Sequence, residues 1–185
     1  MSFQSLRNNL LIAMPGLDDG LFGCSVTYLC EHDSEGALGI IINKPTDITF
    51  ADLFDDEAMV FAPGCENIAI LAGGPVNHNH GFILHDGDAP WDSSLKLPNG
   101  LFLTSSRDII FAIARGEGPA NFLITLGYAG WGPGQLEEEI VDNAWLNTPS
   151  NQHIIFNTPF ENRAAEATAQ LGIDYHLMSH QAGHA

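Results

Sequence analysis

Residues 121–134 have the sequence Asn-Phe-Leu-Ile-Thr-Leu-Gly-Tyr-Ala-Gly-Trp-Gly-Pro-Gly, and the fold of the second half of the chain depends on how this stretch is interpreted. Its beginning is apolar and β-branched, which favours a β-strand over residues 121–126. Glycine then recurs from Gly127 to Gly134, which predicts a loop. Beyond the loop, apolar residues at every fourth position between 136 and 144 predict an amphipathic helix.

A glycine-rich loop between a strand and a helix is a context in which backbone N–H groups can bind phosphate. Two observations disfavour a phosphate site here. The loop lacks the Lys-Ser/Thr pair of a P-loop, and Glu137, Glu138 and Glu139 occupy the first turns of the next helix, where carboxylates repel an anion. We therefore interpret the loop as structural. Its glycines allow unusual backbone dihedrals and let Tyr128 and Trp131 pack or, if they are exposed, anchor a partner.

Short apolar or β-branched runs predict further strands, bounded by turns that contain Gly, Pro or Asp. These strands are expected at 10–14, 25–31, 37–43, 68–72, 81–85, 101–104, 153–156 and 175–178. Helices are expected at 50–54, from Ser105 to Arg115 with Gly116 as the stop, and from the Thr158 N-cap to Gly172. No linker or internal repeat divides the chain. We therefore predict one α+β domain over residues 1–185, with a mixed, partly antiparallel β-sheet core and flanking helices.

The charge balance restricts the classes of partner. Six Lys and Arg residues oppose 23 Asp and Glu residues, which gives a formal net charge of −17. Nucleic-acid affinity depends on basic side chains that neutralise phosphates, and the same negative charge opposes binding to an anionic membrane surface. We therefore expect neither nucleic acid nor a membrane as a direct partner.

The cysteines and the N-terminal segment indicate the compartment. Cys24, Cys30 and Cys65 are odd in number and form no CxxC pair, so we expect reduced thiols and not a disulfide framework. The apolar run at 10–14 is shorter than a secretory core or a membrane span. These features predict a cytoplasmic protein.

One His-dense stretch is a candidate metal site. On an extended strand His78 and His80 point to the same side, and imidazoles with nearby carboxylates can bind a divalent transition metal. His85 lies at an odd separation from both, so a regular strand directs it elsewhere, and the stretch also fits a solvated surface loop. Both interpretations stay open, and no other cofactor is expected.

Three blocks of the sequence resemble the AlgH/YqgE family, and the similarity extends over nearly the whole chain. The first block comprises Leu11-Ile-Ala-Met-Pro15 with Asp18 to Phe22, Glu31-His32, Gly36-Ala37-Leu38-Gly39 and Ile42-Asn43-Lys44-Pro45. The second comprises Gly73-Gly74-Pro75-Val76, Gly81-Phe82 and Leu84-His85. The third comprises Leu126-Gly-Tyr-Ala-Gly-Trp131, Gln135-Leu-Glu137, Glu139 and Trp145-Leu146, and the ending Gly183-His184-Ala185 is also similar.

The resemblance implies a bacterial, cytoplasmic, single-domain α+β protein from a largely uncharacterised family. The family name connects its members with alginate production, which gives them the label of transcriptional regulators. The acidity of this chain opposes direct DNA binding, and the resemblance supplies no established catalytic residues.

These observations favour a non-enzymatic binding or regulatory protein that acts through a protein or small-molecule partner. The candidate binding residues lie in the family-like blocks and are His32, Asn43, Lys44, Tyr128, Trp131 and Gln135. Lys44, one of few cations, suits either an anionic ligand or a local ion pair. Two alternatives stay open. One is a metal-assisted hydrolase that uses His32, His85 or the acids around Asp18, and the other is a transcriptional regulator.

Overall fold

Ten strands and five α-helices form the part of the protein that its computed structural model describes, residues 4–17, 20–55, 59–88 and 90–181. The strands are β1 (Asn9–Ala13), β2 (Val26–Asp33), β3 (Gly36–Ile41), β4 (Pro45–Thr49), β5 (Ala69–Ala72), β6 (Val76–His85), β7 (Ser94–Lys96), β8 (Phe102–Thr104), β9 (Phe122–Trp131) and β10 (Trp145–Pro149). The helices are α1 (Arg107–Ala114), α2 (Gln135–Val141), α3 (Gln152–Phe156), α4 (Arg163–Ala169) and α5 (Tyr175–Gln181). Within these described ranges, no helix has the length and apolar character needed to cross a bilayer.

The strands form one mixed sheet in the order β10-β1-β2-β3-β9-β6-β8-β7. β5 joins this sheet through a parallel ladder with β9, and β4 pairs with β5. The other described ladders are antiparallel. This mixed, partly antiparallel sheet with helices packed on it confirms the predicted α+β class.

β9 connects two parts of the sheet, one with the strands β10, β1, β2 and β3 and the other with β4 to β8. Residues 122–126 pair with β6, and residues 124–126 pair with β5 on the other side. Residues 129–131 pair instead with β3. The change of partner falls next to Gly127, whose φ of 74° lies in the left-handed region that glycine adopts at little cost. A single strand therefore connects the two halves.

Two further glycines allow a second segment of the chain to cross β9 at this point. A Cβ atom on Gly74 would lie 2.0 Å from the carbonyl carbon of Tyr128, and one on Gly73 would lie 2.4 Å from the carbonyl oxygen of Gly127. Backbone atoms cannot move aside as a flexible side chain does. The crossing therefore requires residues without a Cβ at both positions.

A bulge interrupts β6 beside this crossing. The ladder between β6 and β9 is paired on either side of residues 77–80, but these residues face only Gly127. Residues 77–80 are exposed, and Asn77 has a φ of 49°. Bulges bend a strand and occur often beside binding sites. We call residues 77–80 the β6 arm.

Apolar side chains cover both faces of the sheet. In β1, Leu10 and Ile12 belong to a cluster with residues of α3 and α4, whereas Leu11 and Ala13 pack with α2. A third cluster joins β5, β6 and β9 to α1. Burial on both faces explains why β1 is a continuous apolar run and does not alternate between apolar and polar residues.

The predicted loop over residues 127–134 is wrong in its first part. Residues 127–131 form the second half of β9, and residues 132–134 connect this strand to α2. Glycine disfavours a strand in isolation. Here two tertiary interactions outweigh that preference. The ladder with β3 holds residues 129–131 extended, and the close approach of Gly74 leaves no room for a Cβ atom at Gly127.

Two predicted strands are helices. The segments at 153–156 and 175–178 lie in α3 and α5. The side chains of Asn151 and Asp174 each accept a hydrogen bond of 2.9 Å from the backbone N–H two residues ahead, which stabilises a helix start. Short apolar runs do not distinguish a strand from a helix, so these polar caps decide the outcome.

Edge strands and the last predicted helix also differ from expectation. The strands β4, β7 and β10, all at edges of the sheet, were not predicted. β4 begins at Pro45, a position where a strand tolerates the missing N–H.

The last predicted helix, over 158–172, is shorter in the structure. It consists of a 3-10 turn at Phe160–Asn162 followed by α4. Thr158 donates its hydroxyl to Glu166 at 2.6 Å instead of capping the helix.

We expect Gly74→Ala to lower the free energy of unfolding by about 2 kcal/mol or more, because the added methyl group meets backbone atoms in a packed core. Equilibrium urea unfolding of the purified variant measures this loss. Gly16→Ala is the matched control, since a Cβ atom there meets nothing within 4 Å, and its stability should stay within about 1 kcal/mol of wild type. Equal stability of the two variants would contradict the proposed crossing.

Candidate functional site

The tryptophans of the family-like blocks are part of the fold. The indole N–H groups of Trp131 and Trp145 both donate to Oε2 of Glu139, each at 2.8 Å. The ring of Phe22 packs against the two indoles at centroid distances of 6.5 and 5.7 Å. Trp131 is only 7% exposed, so of the two alternatives, packing in the fold or anchoring a partner, this residue follows the first. Buried indoles need an acceptor, and Glu139 supplies it.

α2 also fixes two more of the predicted binding residues. Gln135 donates from Nε2 to Oε1 of Glu139 at 2.9 Å, and its Oε1 accepts a backbone N–H of the preceding loop at 3.0 Å. Nδ1 of His32 accepts the backbone N–H of Leu6 at 2.8 Å, so the neutral ring carries its proton on Nε2. That proton is donated to Glu137 at 3.0 Å. Both side chains therefore connect α2 to the rest of the fold.

Asn43 and Lys44 hold the turn that precedes β2. Asn43 accepts the backbone N–H of Val26 at 2.7 Å and donates to the carbonyl oxygen of Cys24 at 2.9 Å. Nζ of Lys44 donates to the carbonyl oxygen of Gly23 at 2.5 Å. Among the described residues, Lys44 forms no ion pair. Lys44 therefore stabilises this turn through a hydrogen bond to the backbone.

Tyr128 is the predicted binding residue that lies nearest to the β6 arm. It is half-buried, and its ring packs edge-to-face on Phe82 at 5.7 Å. Phe82 in turn contacts the ring of His80 at 5.0 Å. This aromatic row connects the centre of β9 to the arm.

The structure separates the three histidines of the candidate metal site. His78 and His80 lie on the exposed β6 arm, whereas His85 lies at the other end of β6 and is fully buried. Within the described part of the chain, no group of three or more His, Cys, Asp or Glu side chains is placed to hold a metal ion. Asp18, named for the hydrolase alternative, lies outside the described residues.

Burial favours the neutral imidazole of His85, and two hydrogen bonds define its tautomer. Its Nδ1 lies 2.9 Å from the carbonyl oxygen of Asp86, which can only accept, so Nδ1 carries the proton. Nε2 then accepts from the hydroxyl of Thr104 at 2.8 Å, and this hydroxyl accepts from Ser94 at 2.7 Å. Burial lowers the pKa of His85 below its usual value. Both ring nitrogens are therefore occupied.

A cleft of about 350 Å³ lies between the β6 arm and the beginning of α1. Its floor is apolar and consists of Leu53, Phe54, Ile83, Ile110, Phe111, Ile124 and Leu126. Its rim is polar, with Asn79 and His80 on the arm and Ser105, Ser106 and Arg107 at the start of α1. Concave, mainly apolar sites with a few polar groups are the usual form of small-molecule sites.

Asp108 organises the α1 side of the rim. Its carboxylate accepts the hydroxyl of Ser106 at 2.5 Å and the backbone N–H groups of Ile109 and Asp92, both at 3.0 Å. Burial raises the pKa of the Asp108 carboxyl, but these hydrogen bonds together bring it below its usual value. Ser106 precedes α1, and its hydroxyl donates to Asp108 and does not cap the helix.

Sequence reasoning missed the cleft because its walls come from segments far apart in the chain, at 53–54, 79–83, 105–111 and 124–126. One signal was present in the sequence. Arg107 follows two serines at a predicted helix start, and a cation is unfavourable at that end of a helix. Such a placement indicates a role other than helix stability.

A model of the AlgH-like family matches residues 10–176. The chain therefore belongs to the AlgH-like family, as its sequence blocks indicated. A relative from Saccharophagus degradans, named a UPF0301 protein, is 50% identical over 183 residues, which cover 99% of this chain and 90% of that protein. A UPF0301 protein from Thioalkalivibrio sulfidiphilus is 49% identical over 182 residues, with 98% of each chain covered.

Solved structures agree with this assignment. The solution structure of the AlgH protein from Pseudomonas aeruginosa is 43% identical to this chain and superimposes with a TM-score of 0.81, covering 100% of this chain and 98% of that one. A crystal structure of a Corynebacterium diphtheriae protein, 18% identical, has a TM-score of 0.73 over 96% and 93% of the two chains and shares the fold. The names of these relatives state no activity.

Glu139→Ala removes the acceptor of two indole N–H groups. We expect it to lower the free energy of unfolding by about 2–4 kcal/mol, because unpaired buried donors are costly, and to shift the tryptophan emission. A urea titration followed by fluorescence measures both effects. Glu138→Ala, an exposed neighbour on α2, is the matched control and should change stability by less than about 1 kcal/mol. If both variants behave like wild type, the carboxylate does not hold the indoles.

His85 gives the stability a defined pH dependence. Its pKa is lower in the folded than in the unfolded chain, where it is near 6.5, so acid protonates the unfolded state more readily. We expect stability to be unaffected by this group above about pH 6.5 and to fall below it, and the fall to be smaller in His85→Gln. Urea unfolding between pH 5 and 8, with exposed His153→Gln as the control, measures this. Parallel curves for wild type and H85Q would rule the effect out.

Proposed function

We propose that this AlgH-like protein is a non-enzymatic binding protein that takes a small, largely apolar molecule into the cleft between the β6 arm and α1. The observation that carries the proposal is an apolar floor with a short polar rim in one concavity of about 350 Å³. This size falls within the range of small-molecule sites, about 300–1,000 Å³.

The contacts of the other candidate residues support this choice of site. His32, Asn43, Lys44, Trp131 and Gln135 all direct their polar atoms to groups of the chain itself. They stabilise the sheet and α2. A ligand therefore finds its polar partners at the cleft more readily than at the family-like blocks.

The walls of the cleft suggest how binding acts on a partner protein. The β6 arm is exposed and stands outside the regular ladder. A ligand that contacts Asn79 favours one arrangement of the arm over others, and the surface around the cleft changes with it. We place this regulatory role in the cytoplasm, where the three free thiols stay reduced. Direct DNA binding is no part of the proposal, given the net charge of −17.

Gly81→Leu tests the cleft as the binding site. The rings of His80 and Phe82 contact each other, so a side chain at 81 points to the opposite face of β6, the face of Ile83 and the cleft. A Cβ atom at Gly81 meets nothing within 4 Å, so a leucine side chain can start there without a clash and extend into the cleft. We expect 1-octanol to shift amide resonances of cleft residues saturably in wild type, with affinity at least about tenfold lower in G81L.

Gly16→Leu is the matched control, because a Cβ atom at Gly16 also meets nothing within 4 Å and this residue does not line the cleft. It should bind like wild type, and thermal unfolding should show that both variants fold. The proposal fails if G81L binds as wild type does, or if wild type gives no saturable shift with 1-octanol, octanoate or octyl phosphate.

A further inference from the structure

Four of the six basic residues donate to groups of the chain itself. These contacts join Arg7 to the carbonyl oxygens of Cys30 and Lys96, Lys44 to that of Gly23, Arg163 to those of Thr158 and Ile42, and Arg115 to the carboxylate of Glu117. Across the described ranges of the chain, the side chains of Lys96 and Arg107 form no hydrogen bond or ion pair. Of these two, Arg107 lines the cleft.

The charge of Arg107 does not stabilise the start of α1. It is the first residue of α1, where a cation opposes the helix dipole. The neighbouring carboxylate of Asp108 is engaged with Ser106 and with the N–H groups of Ile109 and Asp92, and it does not pair with the guanidinium. In a chain with 23 acidic residues, an arginine left unpaired beside an apolar cleft is available to an anion from outside.

Building on the proposed function, we infer that Arg107 is the head-group site of the cleft and that the ligand is an amphipathic anion. Its carboxylate or phosphate group pairs with the guanidinium at the rim, and its apolar body lies on the floor formed by residues such as Ile83, Ile110 and Ile124. The guanidinium is planar and offers two parallel N–H donors, which match both kinds of oxyanion.

Complementarity of charge supports an anion over a neutral or cationic ligand. A cation at the rim would meet the like charge of Arg107, and a neutral ligand would leave the exposed guanidinium hydrogen-bonded to water and gain nothing from its charge. The hydroxyl of Ser105, which also lines the rim, can donate to the same head group. Asn79 lies on the β6 arm at the other side of the cleft, and its side-chain amide can hydrogen-bond the same ligand.

The experiment compares three ligands that share an eight-carbon chain: octanoate, octyl phosphate and neutral 1-octanol. Each is titrated into wild type, Arg107→Met and Arg115→Met, and binding is followed by amide chemical shifts and calorimetry. Arg115 follows the end of α1, is exposed and pairs with Glu117, so R115M removes the same charge away from the cleft. We expect R107M to weaken one or both anions at least about tenfold, as for the loss of a charged hydrogen bond, with 1-octanol unchanged. R115M should bind all three ligands like wild type.

The outcomes separate this inference from the proposed function. If R107M binds the anions as wild type does, or loses 1-octanol equally, the head-group assignment is wrong while the cleft stands. If none of the three ligands binds wild type, the proposed function itself is wrong. A loss confined to octanoate or to octyl phosphate identifies the head group as carboxylate or phosphate. Arg107→Lys should recover part of the affinity for the anion, and an R107K variant as weak as R107M would contradict a charge-based role.

Discussion

The close approach of two backbone segments, Gly73–Gly74 and Gly127–Tyr128, is the constraint on which the remaining structure depends. At this point β9 passes from its pairing with β5 and β6 to its pairing with β3. The two segments come so close that a single methyl group would overlap backbone atoms. β6 leaves the ladder for residues 77–80 before it pairs regularly again, and this excursion forms one wall of the cleft.

The acidic composition has a structural use inside the protein. Glu139 accepts hydrogen bonds from two buried indole N–H groups, and Glu137 accepts one from Nε2 of His32. Asp108 accepts the hydroxyl of Ser106 at the start of α1. These carboxylates satisfy donors that the fold has removed from water, and a buried donor without an acceptor is costly. The residues that stand out in the sequence are therefore largely scaffold. Under the proposed function, a ligand would instead meet side chains that have no such partner in the described part of the chain, such as Arg107 at the cleft.

Local signals predicted the elements whose structure depends on local interactions. The helix after Ser105 is one case, since α1 ends at Ala114 and Gly116 has the left-handed φ of 75° expected of a helix stop. The second half of β9 could not be predicted in this way, because its extended form depends on β3, a strand remote in sequence. The cleft is the same kind of case. Its floor joins residues that only the strand order brings together, and nothing in the pattern around Ile83 or Ile124 marks them as neighbours.

The position of the β6 arm outside the regular ladder has a consequence for which of its side chains can vary. The arm residues contribute no regular rung to the sheet, whereas a Cβ atom at Gly73, Gly74 or Gly127, the glycines of the crossing, would overlap backbone atoms. Substitution of the exposed side chains of His78 and Asn79 should therefore cost the fold less than any replacement at the crossing, so this end of the sheet can change its surface chemistry while the crossing stays fixed.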